Sequence, residues 1–140
     1  MEKVNLKLGD CVHFRLSNGK YSGAIISKAL NYRGYHNFFF LITNIYKDQA
    51  PHFEDFLSAQ TFGREKNNYL DDVLIINERF MVNFAGRFEV AANIQLNSEV
   101  YRFGAYRHQQ TFPEFERSVL HFPKIDYTER KPYPIRFLIK

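Results

Sequence analysis

Between the runs Cys11 to Leu16 and Tyr21 to Leu30 lies Ser17-Asn18-Gly19-Lys20. Asn-Gly is the dipeptide that best accepts the positive φ angles of a two-residue hairpin turn. In the first run Val12, Phe14 and Leu16 fall on one face and Cys11, His13 and Arg15 on the other, the two-residue period of a half-buried strand. A chain that begins with this hairpin is committed to an antiparallel sheet.

The next break is Asn31-Tyr32-Arg33-Gly34-Tyr35. After it, Phe38 to Tyr46 is so apolar, aromatic and β-branched that it predicts a central strand covered on both faces. At Pro51 the period changes. Phe53, Phe56, Leu57 and Gln60 keep helical spacing, Glu54 and Asp55 stand in the first turn where the helix dipole favours them, and Gly63 is placed to end the helix. Arg64 to Asn68 is polar and predicts a loop.

Val73 to Ile76, Arg79 to Phe84 and Arg87 to Leu96 read as further strands, with Ala85-Gly86 as a tight turn. In the last of these, Phe88, Val90, Ala92, Ile94 and Leu96 alternate against Glu89, Ala91, Asn93 and Gln95. Thr111-Phe112-Pro113-Glu114 has the spacing of a capping box, and Phe112, Phe115, Val119 and Phe122 follow at helical intervals before Pro123. Ile135 to Ile139 predicts a final strand, and Pro132 and Pro134 before it predict an extended or edge connection. The expected fold is α+β: a small, strongly bent antiparallel sheet or SH3-like barrel carrying two short helical insertions.

A chain of 140 residues with 45% hydrophobic and 24% charged residues is expected to form one domain, 1–140, that buries its own core. Cys11 is the lone cysteine and MEKVNLKLGD holds no apolar signal-like stretch, so a reducing, cytoplasmic setting is the expectation. The apolar runs FFFLI and VLII fall far short of the roughly 18 residues that cross a bilayer, so no membrane is expected as a partner. The net charge of +4 is uneven: residues 1–50 hold 7 Lys/Arg against 3 Asp/Glu, residues 51–100 hold 4 against 8, and residues 101–140 hold 8 against 4. Such a pattern steers a charged partner or simply solvates the surface, and by itself nominates no nucleic acid.

Candidate chemistry is sparse. Cys11 and His13 share a strand face, which permits a thiolate–imidazole pair, but no third orienting residue is evident and a lone strand cysteine is ordinarily a packed hydrophobe. His13, His36, His52, His108 and His121 lack metal-ligand spacing. Asp71-Asp72 would point to opposite faces of a strand, or cap backbone groups in a turn. The glycines form no phosphate loop. No cofactor, metal or catalytic residue is therefore expected.

The informative segments are aromatic and basic. ALNYRGYHNFFF gathers Tyr32, Arg33, Tyr35 and His36 at a hairpin end, and a second group holds Tyr101, Arg102, Phe103, Tyr106, Arg107 and His108. Rings with arginine suit the hot spots of a protein interface, and equally the stacking platforms that take single-stranded nucleic acid.

Two stretches resemble a known family. Gly9-Asp10-Cys11-Val12-His13-Phe14-Arg15-Leu16 followed by Gly19-Lys20-Tyr21-Ser22-Gly23-Ala24-Ile25-Ile26 is similar to the opening hairpin of the immunity protein twenty-six family of bacterial polymorphic toxin systems. Phe88-Glu89-Val90-Ala91-Ala92-Asn93-Ile94-Gln95-Leu96 and Tyr101-Arg102-Phe103 are similar to its later strand and aromatic segment. The chain departs in lacking a Trp before that strand, in placing Ala92 where Gly is the family's residue, and in being basic. The resemblance implies a non-catalytic protein that binds and neutralises a cognate toxin in the bacterial cytoplasm. The expected partner-binding residues are Tyr32, Arg33, Tyr35, His36, Tyr106 and Arg107. The alternative partner is single-stranded nucleic acid.

Overall fold

The computed structural model describes residues 4–64, 69–70, 73–97, 102–103, 106–109, 111–121 and 130–140. The predicted hairpin opens the chain: β1 (Asp10–Arg15) and β2 (Tyr21–Tyr32) pair antiparallel, Cys11 opposite Ile25 and Arg15 opposite Tyr21. Gly19 has positive φ, at 87°, but Asn18 does not, and the bonds from Gly19 N to Leu16 O and from Leu16 N to Lys20 O close a loop over Ser17, Asn18 and Gly19 in place of the expected two-residue Asn-Gly turn. β3 (Tyr35–Ile42) returns along β2, β6 (Val73–Asn77) lines up against β3, and β7 (Glu89–Asn93) lies against the other side of β1. The order β7-β1-β2-β3-β6 is antiparallel throughout, and β9 (Tyr106–Gln109) extends it as a parallel edge strand on β6. A smaller sheet is built on β4 (Gln60–Arg64) and β10 (Arg130–Pro134), with the two-residue strands β5 (Tyr69–Leu70) and β8 (Arg102–Phe103) beyond β4.

Alternating side chains of β1, β2, β3 and β6 go to opposite faces, and both faces are apolar, so the large sheet is the middle layer of three. On one face Val12, Phe14, Ile26, Phe40 and Leu74 pack with Phe88 and with Phe112, Phe115 and Val119 of α3 (Phe112–His121). Ring pairs such as Phe14–Phe115 and Phe40–Phe88, each with centroids 5.1 Å apart, knit this side together. On the other face Cys11, Ile25, Leu41 and Val73 pack with Phe56 of α1 (Phe53–Leu57) and with Ile135 and Leu138. Phe38 to Ile42 is thus buried from both sides, as composition predicts, but β3 ends at Ile42, and Tyr46, expected within the strand, is exposed.

The fold is α+β and its sheet stays open, so of the two expected architectures the bent sheet stands and the closed barrel does not. Four local expectations are corrected. The first helix stops at Leu57, and Gln60 and Gly63 belong to β4, because Gln60 to Arg64 finds a strand partner in β10. Arg79 to Phe84 is helix and turn rather than strand: α2 (Glu78–Met81) starts where the Asn77 side chain accepts a hydrogen bond from Arg79 N at 3.0 Å, and Val82 to Phe84 form a turn. The alternation over Phe88 to Leu96 breaks where β7 slips register against β1 between Cys11 and Val12, leaving Val90 exposed. Ile135 to Leu138 forms a 3₁₀ turn rather than a strand, while Ile139 makes one bridge to Leu96. At α3 the Thr111 hydroxyl accepts from Glu114 N at 3.3 Å and donates to the Glu114 carboxylate at 2.9 Å, one half of the expected capping box. The expected loop at residues 65–68, Asp71-Asp72, Tyr101, Gly104, Phe122 and Pro123 lie outside the described residues.

Candidate functional site

The second hairpin turns at Arg33-Gly34, both with positive φ (54° and 85°), and Tyr32 is opposite Tyr35 in register. Two left-handed residues in succession make the turn type whose twist suits an antiparallel pair. The Asn31 side chain secures it by accepting from Gly34 N at 3.2 Å.

A bulge at Ser27 decides what this hairpin shows to solvent. Ile26 is opposite Phe40, yet Lys28 is already opposite Phe39, and the extra residue anchors its hydroxyl on Phe39 O at 3.2 Å. From there on, the faces of β2 are exchanged. Lys28 joins Phe39 and Ile75 in one row and Leu30 joins Asn37 and Asn77 in the next, on the face that Leu41 and Val73 occupy further along. The covering layer ends at Phe39 and Ile75, which are buried, whereas Leu30 is 49% exposed.

Around Leu30 the polar groups are organised. Arg79 lays its guanidinium over the Tyr35 ring, 5.0 Å from the centroid, and its Nε donates to Asn77 Oδ1 at 3.1 Å. Asn77 Nδ2 donates in turn to Asn37 Oδ1 at 2.8 Å. Lys28 Nζ stands 5.9 Å from the Phe39 ring. These rows and Arg79 include no carboxylate. The patch combines an exposed leucine, an arginine-stacked tyrosine and cations, which is the composition of interface anchors.

His36 points the other way. Its N–H donates to Glu78 Oε1 at 2.9 Å and its ring Nδ1 lies 3.4 Å from the same oxygen, while Val4 N donates to Oε2 at 3.2 Å. Burial pushes the Glu78 carboxyl up, but the His36 and Val4 N–H groups and the His36 ring outweigh it and hold the pKa below the ordinary glutamate range. His36 therefore helps to fasten the hairpin base to α2 and the N-terminal segment.

Of the sequence-derived candidates, Tyr35 and Arg33 lie at the hairpin end, Arg33 exposed and Tyr35 beneath Arg79. Tyr32 is their strand neighbour by register. Tyr106 and Arg107 are aligned with Val73 and Leu74 on the edge strand, and Val73 is aligned with Leu41. Six positions of β3 separate Leu41 from Tyr35, roughly 20 Å along the strand. Tyr106 and Arg107 therefore stand away from the hairpin end, whereas His108 is aligned with Ile75 and Phe39, in the row of Lys28. Leu30 escapes sequence reasoning because its face depends on the bulge, and Asn37, Asn77 and Arg79 escape it because their meeting depends on the β3–β6 pairing and on α2.

The Cys11–His13 pair keeps the shared face but not the chemistry. Cys11 is fully buried, and burial together with the Asp10 charge pushes its thiol up to about 12, the opposite of nucleophile activation. His13 packs edge-on to Tyr21 with centroids 6.1 Å apart and has Nε2 3.6 Å from Glu89. Among the described residues no three His, Cys, Asp or Glu side chains gather as metal ligands, and no helix is long and apolar enough to cross a membrane. Compared with protein-family models, curated proteins and solved structures, the chain matches none.

Proposed function

We propose that this chain is a non-catalytic binding protein of the immunity type, which occludes a cognate bacterial toxin domain in the cytoplasm. The observation that carries the reading is the Leu30–Tyr35–Arg79 patch, an exposed apolar and cationic surface on a hairpin whose base is fixed by Glu78. Supporting it is the order of the segments that resemble the immunity family. Lys28, Arg33 and Arg79 favour an acidic patch on the partner, which would set orientation and on-rate, while Leu30 and Tyr35 supply the desolvated centre.

The test is co-expression with a toxin domain encoded beside this gene. The wild-type chain should restore growth, and Leu30→Asp or Arg79→Glu should weaken the purified complex by about tenfold or more, as hot-spot truncation does. Growth that stays arrested with the wild-type chain, or is restored equally by both variants, removes the reading for that toxin. If the same patch retains oligo(dT) at low salt and releases it steeply as salt rises, nucleic acid replaces protein as its partner.

A further inference from the structure

At the opposite end of β2 from Leu30 there is a cavity that the proposed interface does not use. The β1–β2 turn is closed by Leu16 N donating to Lys20 O at 2.7 Å, and α3 is clasped to it through Glu116, whose carboxylate accepts from Ser17 N and, at 3.0 Å, from Ser17 Oγ. One turn further on, Val119 and Leu120 overhang the start of β2, while the segment after β3 is held down by paired bonds between Tyr21 and Lys47. The space between them has a volume of about 380 Å³, within the range of small-molecule sites.

Its walls are chemically consistent. Ile45, Tyr46, Val119 and Leu120 provide the apolar surface, and no charged side chain is among its described lining. Most polar groups there are already engaged. Asn18 Nδ2 donates to Tyr46 Oη at 2.7 Å, Asn44 Oδ1 accepts from Gln60 N at 2.9 Å, and Thr43 Oγ1 donates to Gly23 O at 2.6 Å. Ser22 is different: it is 1% exposed, lies on the strand face turned to α3 and lines the cavity, and its hydroxyl takes no part in the hydrogen bonds that engage Asn18, Thr43 and Asn44. The Ser22 hydroxyl is not enclosed in the dry core but borders the cavity, where a bound polar atom can pair with it. The nearby cation, Lys20, stands 5.9 Å from the Tyr46 ring and is already paired with Asp48, so a bound anion would be desolvated without a counter-charge of its own.

We propose that this cavity binds an uncharged small molecule with a ring-sized apolar body and one polar substituent, the substituent on Ser22 Oγ and the body against Ile45, Tyr46, Val119 and Leu120. The probe is phenol, followed by ¹H–¹⁵N NMR on the full chain, with benzoate as the charged counterpart. Phenol should give saturable shifts centred on Ser22, Ile45 and Leu120 with a Kd on the order of 1 mM, a reasonable strength for so few atoms. Ser22→Ala should weaken phenol about tenfold, Leu120→Trp should fill the cavity and abolish binding, and benzoate should bind at least tenfold more weakly than phenol. Non-saturating or scattered shifts, Ser22→Ala binding within about twofold of wild type, or benzoate matching phenol would each overturn the proposal. Should Leu120→Trp fail to fold, the Ser22→Ala and benzoate comparisons decide alone.

Discussion

Thr61 in β4 has its side chain fully buried, and its hydroxyl finds no partner among the described residues. Valine has the same shape without the polar atom, and the strand pairing of Thr61 with Tyr133 uses only backbone. Thr61→Val should therefore stabilise the protein by about 1–2 kcal/mol, since the lost group is an unsatisfied one. Urea denaturation would show this as a higher midpoint at unchanged slope, and a lower midpoint would mean that the hydroxyl does have a partner. Sequence gives no hint of this, because Thr on a strand is as compatible with solvent as with a dry core. Cys11 is the contrasting case: flanked by strand residues and without a partner cysteine, it reads as a packed hydrophobe, and it is one.

Where elements meet, single residues decide whether they can. α1 packs on β2 through Phe56, and a Cβ built at Gly23 would stand 2.8 Å from Phe56 Cε1 and 3.0 Å from Ile45 Cδ1. Gly23→Ala should cost about 1–3 kcal/mol through this overpacking, and Phe56→Leu in the same chain should recover part of it; an unchanged stability for Gly23→Ala would show that the ring moves aside freely. The contact of α2 with β3 makes a pH-dependent prediction. The Glu78 carboxyl has a folded pKa below its unfolded one, so its contribution is present above the unfolded value of about 4.3 and is lost as pH falls through the folded value. Glu78→Gln should cost about 1.5–3 kcal/mol at pH 7, the range for hydrogen bonds to a charged group, and the gap between variant and wild type should narrow below pH 4. A gap constant from pH 7 to pH 3 would assign the loss to packing instead. Elements with a strong local signal, the Asn18-Gly19 hairpin and the Phe112-Phe115-Val119 face of α3, are legible in the sequence. α2 is not, since four residues capped by Asn77 look the same as an alternating run. The bulge at Ser27 is equally silent, and it is what brings Lys28 and Leu30 to the face of the candidate interface.

For the whole molecule the decisive feature is that the two core clusters share their strands. Cys11 and Val12 are neighbours on β1 but belong to different clusters, as do Ile25 and Ile26 on β2, and Phe39 and Phe40 on β3. Removing either covering layer would bare one face of the same four central strands, exposing Phe14, Phe40 and Leu74 on one side or Ile25, Leu41 and Val73 on the other. Each buried side chain of this size is worth about 1.5–3 kcal/mol against exposure, so a half-covered sheet loses several such contributions at once, comparable to the whole stability of a domain this long. That both faces of β3 are buried is legible in its run of phenylalanines; that the sheet stays open is not, because closure depends on where β7 and β9 end, and neither edge carries a distinctive signal. The expected consequence is one cooperative unfolding transition. Cys11 is a built-in reporter for the α1 side and the phenylalanine cluster for the α3 side. In a guanidinium titration, Cys11 labelling, near-ultraviolet circular dichroism and far-ultraviolet circular dichroism should share one midpoint. Labelling of Cys11 at denaturant concentrations where both dichroism signals remain native would mean that the α1 layer detaches alone, and that the two clusters are energetically separate despite their common strands.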